Sequence, residues 1–208
     1  MWRWFGGRVM MLVEQGAVPG AALPVAEFRD HLRLGTGFAD EALQDGLLAS
    51  HLRAAMAAIE GRIGKVLIAR RFLWTVDRWR DGAAQALPVA PITGIAEVTL
   101  VDAAGGRVVL PAGSYRLVTD SHRPKLAARS GSLPLIPEGG RAEVLFDAGF
   151  GAAWAALPAD LAQAVLLLAA EFYDQRHGGA EVQAGLPFAV QMLIERWRTV
   201  RVLGGGAV

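Results

Sequence analysis

The chain has 208 residues, carries 21 Lys and Arg against 20 Asp and Glu, and is 53% hydrophobic. A chain of this length buries a core without covalent cross-links, and the absence of Cys excludes disulfides, thiolate catalysis, iron–sulfur clusters and thiolate zinc sites. The net charge of +1 gives no overall field that would hold the molecule on nucleic acid. The hydrophobic fraction is high for a soluble monomer, and subunit interfaces are one natural place for the excess.

The first residues, MWRWFGGRVMMLVEQ, mix apolar side chains with charge. Gly6, Gly7 and Arg8 interrupt the apolar run, and no A-x-A cleavage site is clear, so the pattern does not fit a signal peptide. Residues 1–22 are therefore interpreted as a flexible N-terminal arm, or as the result of a start codon assigned upstream of Met10 or Met11.

Two helices are predicted in the N-terminal half. The segment PVAEFRDHLRL, from Pro24, places Val25, Phe28 and Leu32 on one face. Asp40 is a favourable N-cap for the next helix, whose wide apolar face continues to Ile63. Gly64 then supplies a C-terminal stop, because glycine adopts the left-handed conformation without strain.

After Gly64 the hydrophobic pattern changes to alternation with a period of two. Strand-like segments are RRFLWTVDRW, ITGIAEVTLVD, RVVLPAGSYRLVTD and RAEVLFDAG, and Asp102 to Gly106 is typical of a hairpin turn. Pro88, Pro91, Pro134 and Pro137 fall in the loops between these segments. Together they predict a compact antiparallel β unit spanning residues 71–149.

The helical period returns at LPADLAQAVLLLAAEFYDQRHGG. Its repeating apolar positions, Leu161, Val165, Leu168 and Phe172, are candidates for the subunit core and for an interface between subunits. The unbroken apolar run, Ala164 to Ala170, is far shorter than the roughly 20 residues that cross a bilayer. The segment is therefore predicted to be a helix buried on most sides, and no membrane anchor is expected.

A last helix is predicted in LPFAVQMLIERWRTVRVL, with Phe188 and Met192 on one side. Its end is basic, and the combination of Trp197 with neighbouring arginines is typical of protein interfaces. A partner surface is favoured over a solvated helix end, and over nucleic-acid binding, because the chain as a whole offers nucleic acid little other charge.

No pattern nominates an active site. The four histidines, His31, His51, His122 and His177, form no i, i+4 pair and no H-E-x-x-H motif, and His51 is expected to lie between helices or to be partly exposed. The chain has neither a glycine-rich phosphate loop with the required spacing nor a G-x-S-x-G nucleophile elbow. No enzymatic activity, cofactor or metal is expected.

The element order predicts an α+β fold, in which a small bundle of about four helices carries an antiparallel β insertion between the second and third helices. The predicted organisation is an arm at 1–22, a bundle core at 23–70 and 150–185, a β insertion at 71–149, and a C-terminal helix and tail at 186–208.

A series of motifs, in order, carries a family resemblance. It runs through PVAEFRDHLRL, a D-E-x-L helix ending in the G-x-x-G of Gly61 to Gly64, RFLWTVDRW, LPVAPITGIAEVTLVDAAG, AGSYRLVTD, F-D-A-G-F-G, the L-P-A-D-L helix, and L-P-F-A-V-x-x-L-I-x-x-W-R-x-V-R. Over nearly all of residues 23–202 the chain resembles the head–tail connector (adaptor) proteins of long-tailed bacteriophages, prophages and gene transfer agents.

The resemblance implies a non-enzymatic ring, typically of twelve subunits, beneath the portal protein at the unique capsid vertex. The implied partners are the portal, the next neck protein (stopper) or the tail terminator, and further copies of the chain, with DNA only as cargo in the lumen. The protein would assemble in the bacterial cytoplasm and end in the neck of the particle. Portal-binding candidates in the matching terminal helix are Phe188, Met192, Trp197, Arg198 and Arg201.

Two other functions remain open at this stage. The nearer one is another neck or tail-completion protein of the stopper type, because only position in a particle separates it from an adaptor. The other is a small DNA-binding module, whose affinity would fall steeply with added salt.

Overall fold

The structure, a computed structural model, describes residues 10–34, 41–175 and 185–198. This part of the chain contains four α-helices and eight β-strands, so the fold is α+β, as the sequence predicts. The chain divides into two compact units, one formed by Met1–Val18 and Ile68–Ala152 and the other by Pro19–Leu67 and Ala153–Val208.

The second unit contains the helices, in chain order α1 (Val25–His31), α2 (Glu41–Ile63), α3 (Ala159–Gln175) and α4 (Phe188–Ile194). Helix α3 is central, because it packs against α1, α2 and α4. The apolar side chains that these helices bury form one core: Phe28, Leu48, Leu52, Ala55, Met56, Ile59, Ile63, Leu161, Ala164, Val165, Leu168, Ala169, Val190 and Ile194.

The predicted end of the long helix is confirmed. Gly64 follows α2 with φ of +68°, and its N–H donates to the carbonyl of Glu60 at 2.8 Å. The Glu60 carboxylate accepts the N–H of Leu67 at 2.7 Å, which fixes the chain as it leaves the helix. The predicted N-cap, Asp40, lies outside the described residues.

The first unit contains the strands. In chain order they are β1 (Met10–Glu14), β2 (Arg70–Val76), β3 (Ala84–Ala86), β4 (Ile92–Val101), β5 (Arg107–Val109), β6 (Tyr115–Val118), β7 (Lys125–Ala128) and β8 (Arg141–Ala148). They form a five-stranded sheet in the order β1-β2-β8-β4-β5 and a three-stranded sheet in the order β3-β7-β6. Every pairing between these strands is antiparallel.

The alternating pattern places one set of side chains of β2 and β8 in the core. Phe72, Trp74 and Val76 are buried on β2, and the rings of Phe72 and Phe146 stack with centroids 5.8 Å apart. The predicted turn at Asp102 joins β4 to β5, where Asp102 Oδ1 accepts the N–H groups of Ala104 and Gly106, both at 2.8 Å. Gly105, with φ of +90°, provides the left-handed residue that this turn requires.

Three strands are absent from the sequence prediction. Strand β1 lies within the segment predicted to be a flexible arm, yet it pairs with β2 from Met10 opposite Val76 to Glu14 opposite Phe72. Its sequence, MMLVE, does not alternate between apolar and polar residues, and all five residues are exposed. A search for a period of two therefore does not detect this strand. Strands β3 and β7 read AQA and KLAA, whose alanines have low strand propensity.

The last helix is shorter than the sequence predicts. Helix α4 ends at Ile194, a 3-10 turn covers Glu195–Trp197, and Arg198 is already extended. The change from α-helix to 3-10 helix occurs at the residues that contact α3: Arg196 and Trp197 both contact Asp160 at the start of that helix. The predicted continuation beyond Arg198 lies outside the described residues.

Candidate partner-binding surfaces

Helix α4 presents two large apolar side chains to solvent. Phe188 is 77% exposed and Met192 is 63% exposed, and their spacing of four residues places them on the same side of the helix. Val190 and Ile194 point into the helical core and are fully buried. The helix is therefore attached by one face and open on the other.

The turn after α4 is attached to α3 through one carboxylate. Asp160 Oδ2 accepts the indole N–H of Trp197 at 2.8 Å and contacts Arg196 Nε at 2.6 Å, while its Oδ1 accepts the N–H of Leu161 at 3.0 Å. The Arg196 guanidinium also lies over the Trp197 ring, 4.7 Å from its centroid. These contacts hold the end of the terminal segment against the first turn of α3.

The charge state of Asp160 follows from these contacts. Burial on its own raises the pKa of this carboxyl, but the hydrogen bonds from Trp197, Arg196 and the Leu161 N–H, with the positive charge of Arg196, outweigh burial. The pKa of Asp160 therefore lies below its usual value. The ionised form is stabilised, as expected for a group that holds two elements together.

The structure gives different surroundings to the four predicted portal-binding residues that it describes. Phe188 and Met192 lie together on the open side of α4, whereas Trp197 is half-buried and turned toward Asp160. Arg198 is exposed and its Nη1 contacts both carboxylate oxygens of Glu195 at 3.0 Å. Arg201 lies outside the described residues.

Helix α3 buries three of its four candidate positions. Leu161, Val165 and Leu168 are at most 1% exposed, and Phe172 is half-buried. Leu166 and Leu167, on neighbouring faces, are also half-buried. His51 of α2 lies edge-on to Tyr173 of α3, with ring centroids 5.9 Å apart, so this histidine is interhelical, as predicted.

The remaining shifted carboxylates belong to ion pairs on the five-stranded sheet. Hydrogen bonds from Arg71 lower the pKa of Asp147. Burial raises the pKa of Glu143, but Arg141 and Arg107 reverse that effect and leave it below its usual value. These shifts stabilise the ionised forms of structural carboxylates. A general acid needs the opposite, a pKa raised toward the working pH.

Within the described ranges, no three His, Cys, Asp or Glu side chains are arranged to hold a metal ion. Over the same ranges, the helices contain no stretch with the length and apolar character needed to span a bilayer. What the described residues do offer is exposed apolar side chains on ordered elements, on α4 and on β1.

Sequence reasoning did not identify Asp160 or β1 as important. Asp160 stands in the L-P-A-D-L motif, and a carboxylate in a helix first turn is ordinarily explained by the helix dipole. A specific partner for it, more than thirty residues away, leaves no local signal. Four consecutive apolar residues, Met10 to Val13, were the available signal for β1.

Comparison with solved structures gives close matches over almost the whole chain. A chain from the neck of an empty gene transfer agent particle, computed with C6 symmetry, is 59% identical, with a TM-score of 0.84. A chain from the virion of a native gene transfer agent particle is 60% identical, with a TM-score of 0.81. A chain from the neck of a native particle, computed with C12 symmetry, is 56% identical, with a TM-score of 0.80.

Each match covers 94% of this chain and 98% of the other. No protein-family model and no curated protein matches the sequence. These comparisons identify a structural component of a particle neck rather than an enzyme. The chain belongs to the family of neck connector proteins of gene transfer agents and tailed phages.

Proposed function

We propose that this neck protein is the adaptor: a ring that joins the portal vertex of the capsid to the rest of the neck and the tail. DNA passes through the ring as cargo. The proposed partners are the portal protein on one side, the stopper or the tail terminator on the other, and neighbouring copies of the same chain. The proposal is supported by the match to necks computed with C6 and C12 symmetry.

The observation that carries the portal contact is the open side of α4. Phe188 and Met192 are exposed there, while Val190 and Ile194 hold the other side of the helix in the core. Large apolar and aromatic side chains on a fixed backbone are effective anchors, because binding does not have to order the helix first. Residues 186–208 are accordingly the proposed portal-docking region.

The other candidates receive different roles within the proposal. Trp197 positions the docking region through Asp160, since its indole N–H is already engaged by that carboxylate. Arg198 lies at the end of the described segment, exposed beside Glu195. Arg201 keeps its proposed role as a portal contact on the basis of the sequence resemblance.

A ring also requires a contact between copies. The half-buried residues of α3, including Leu166, Leu167 and Phe172, are available for such a contact beside the fully buried core positions. The net charge of +1 is compatible with a DNA conduit, because a strongly basic wall would retain DNA by releasing counterions from its phosphates.

The double variant Phe188→Ala, Met192→Ala tests the portal contact. Deleting everything from Leu186 onward is a poorer test, because it would remove Val190 and Ile194 from the core. The free energy of unfolding of the double variant should lie within about 0.5 kcal/mol of the wild-type value, since both side chains are exposed. Its affinity for purified portal protein, measured by biolayer interferometry, should fall at least about tenfold.

Leu135→Ala is the matched control. It removes an apolar side chain that is 91% exposed but lies in the β unit, and it should leave portal affinity unchanged. Undiminished portal binding by the double variant would rule out α4 as the docking helix. A wild-type protein that binds a tail-side neck protein but not the portal would favour the stopper-type alternative.

Electron microscopy of particles from a strain lacking this gene tests the wider role. Heads without attached tails are expected, because the ring would be missing between the two parts. Normally tailed particles would contradict the adaptor proposal altogether. Strong binding of free duplex DNA that disappears with added salt would instead favour the DNA-binding module.

A further inference from the structure

The five-stranded sheet ends in two edge strands among the described residues, β1 on one side and β5 on the other. Strand β1 is paired with β2 along its whole length, and β5 is paired with β4. An edge strand presents unpaired backbone N–H and C=O groups, which can pair with another chain. Each edge is therefore a potential contact surface.

The hydrogen-bonding groups on the open side of β1 can be assigned. The N–H of Gln15 donates to the carbonyl of Arg71, and antiparallel pairs alternate between hydrogen-bonded and non-hydrogen-bonded residues. Val13 and Met11 therefore direct their backbone groups toward β2, whereas Leu12 and Glu14 direct theirs away from it. The open edge offers a regular row of donors and acceptors.

The side chains of β1 are unusually apolar for an exposed edge. Met10, Met11, Leu12 and Val13 are consecutive and all exposed, and Met10 reaches 60% exposure. The charged residue of the strand, Glu14, contacts Arg70 Nε at 2.7 Å. Proteins usually protect an edge with lysines, prolines or very short strands, so an apolar edge of ordinary length without lysine or proline indicates a surface that is covered in the assembled state.

Strand β5, at the opposite edge, is shorter and begins with a charged residue, but it also exposes two apolar side chains. Its three residues, Arg107 to Val109, are all exposed, and Val108 reaches 62% exposure. The Leu110 N–H donates to the carbonyl of Val98, so alternation directs the backbone groups of Val109 away from β4. The sheet thus exposes apolar side chains and unpaired backbone groups at both edges, more of them at β1 than at β5.

We propose that β1 of one copy docks against β5 of the next copy, so that the sheet continues from subunit to subunit around the ring. This inference rests on the ring of the proposed function and names the surface that closes it. A cyclic ring needs two different, complementary surfaces on each copy. The two edges of one sheet provide such a pair of surfaces, in addition to the contact proposed for α3.

The direction of the strands makes the proposal specific. Four successive antiparallel pairings separate β1 from β5, so the two strands run in the same direction. In a ring with C12 symmetry, the symmetry of one matching neck, neighbours differ by a rotation of only about 30°. The contact between β5 and the next β1 should therefore be a parallel pairing.

Cysteine cross-linking inside assembled particles tests this contact, because the chain has no cysteine of its own. The double variant Leu12→Cys, Val108→Cys places one thiol on each edge. Purified particles are treated with a short bismaleimide and analysed on a denaturing gel, with the linked peptides identified by mass spectrometry. The expected result is a ladder of multimers, extending to the full ring, joined through positions 12 and 108.

Three controls separate this contact from chance proximity. Each single variant should remain monomeric, since a head-to-tail contact never brings two copies of the same position together. The pair Leu12→Cys, Ala57→Cys, with the second thiol on the exposed surface of α2, should give no ladder. Dimers from Leu12→Cys alone would mean that β1 meets its own copy, which overturns the head-to-tail proposal.

Failure of this inference is distinguishable from failure of the proposed function. Tailed particles that contain the double-cysteine protein but give no 12-to-108 link would overturn the edge contact and leave the adaptor role standing. Tailed particles that lack the protein would contradict the adaptor role itself.

The variant Met10→Lys provides a second measurement that does not depend on cross-linking. It should keep the unfolding midpoint of the wild type, because Met10 is 60% exposed, and should reduce the number of tailed particles at least about tenfold by placing a charge in the contact. Normal numbers of tailed particles with this variant would overturn the edge contact.

Discussion

Trp197 donates its indole N–H to Oδ2 of Asp160 at 2.8 Å, across 37 residues of sequence. Arg196 contacts the same oxygen, so one carboxylate at the start of α3 holds the end of the terminal segment. Together with the buried Val190 and Ile194, this contact fixes the direction in which Phe188 and Met192 face solvent. The proposed docking helix is thus oriented before any partner arrives.

Replacing Asp160 with Asn should destabilise the protein in a pH-dependent way. The pKa of Asp160 is lowered in the folded state, so its ionised form stabilises the fold above the ordinary aspartate pKa of about 4. That contribution is lost as the pH falls through the folded-state pKa. We expect Asp160→Asn to cost about 1 kcal/mol at pH 7 and progressively less below about pH 4, as measured by denaturant unfolding.

Asp174→Asn is the control for this prediction, because Asp174 is exposed near the other end of α3. It should change the free energy of unfolding by less than about 0.5 kcal/mol. A difference between wild type and Asp160→Asn that stays constant from pH 7 to pH 3 would show that the charge of Asp160 is not responsible.

Leu168 should be indispensable to the helical unit. Its side chain is 1% exposed on the central helix, so Leu168→Ala should lower the free energy of unfolding by about 2–5 kcal/mol. Leu168→Asp should prevent folding or ring assembly, because it buries a charge without a partner. Leu47→Ala on α2, where the side chain is 38% exposed, should cost less, about 1.5 kcal/mol. Normal particles built from Leu168→Asp would refute the assignment.

Gly149 should not tolerate a side chain. Its φ is +135°, and a Cβ at this position would collide with the backbone of Ala69. Gly149→Ala should therefore cost more than about 1 kcal/mol, whereas Gly94→Ala in β4, where a Cβ meets nothing within 4 Å, should cost less than about 0.5 kcal/mol. Thermal unfolding of both variants checks the prediction, and equal midpoints would contradict it.

The ion pairs of Glu143 should contribute little to stability. Its carboxylate bridges Arg107 at 2.8 Å and Arg141 at 2.7 Å, and both arginines are substantially exposed. Glu143→Gln should therefore cost at most about 1 kcal/mol, and the difference should shrink as salt is added. An unchanged difference in high salt would mean that packing, and not charge, explains the effect.

Most helices and strands were predictable because their signals are local. The alternation of Phe72, Trp74 and Val76, the left-handed Gly64 and the Asp102 turn each depend on neighbouring residues alone, and each is present in the structure. The sequence pattern also marked Phe188 and Met192, and both prove to be exposed on one side of a helix. Their role at the portal stays a prediction.

Other features depend on partners that are distant along the chain. Strand β1 forms because its backbone pairs with β2, although its own residues show no alternation. The terminal helix ends at Ile194, and not further along, where Arg196 and Trp197 reach a carboxylate that belongs to α3.

Residue type and spacing were therefore enough to predict an α+β chain with an apolar central helix, and the neck-connector assignment came from the resemblance of its motifs to a known family. Tertiary structure alone decided which strand lies at the sheet edge, which face of α4 remains open, and which carboxylate holds the terminal segment. The physical reason is that burial and charge pairing depend on the elements brought alongside a residue, and these come from anywhere in the chain.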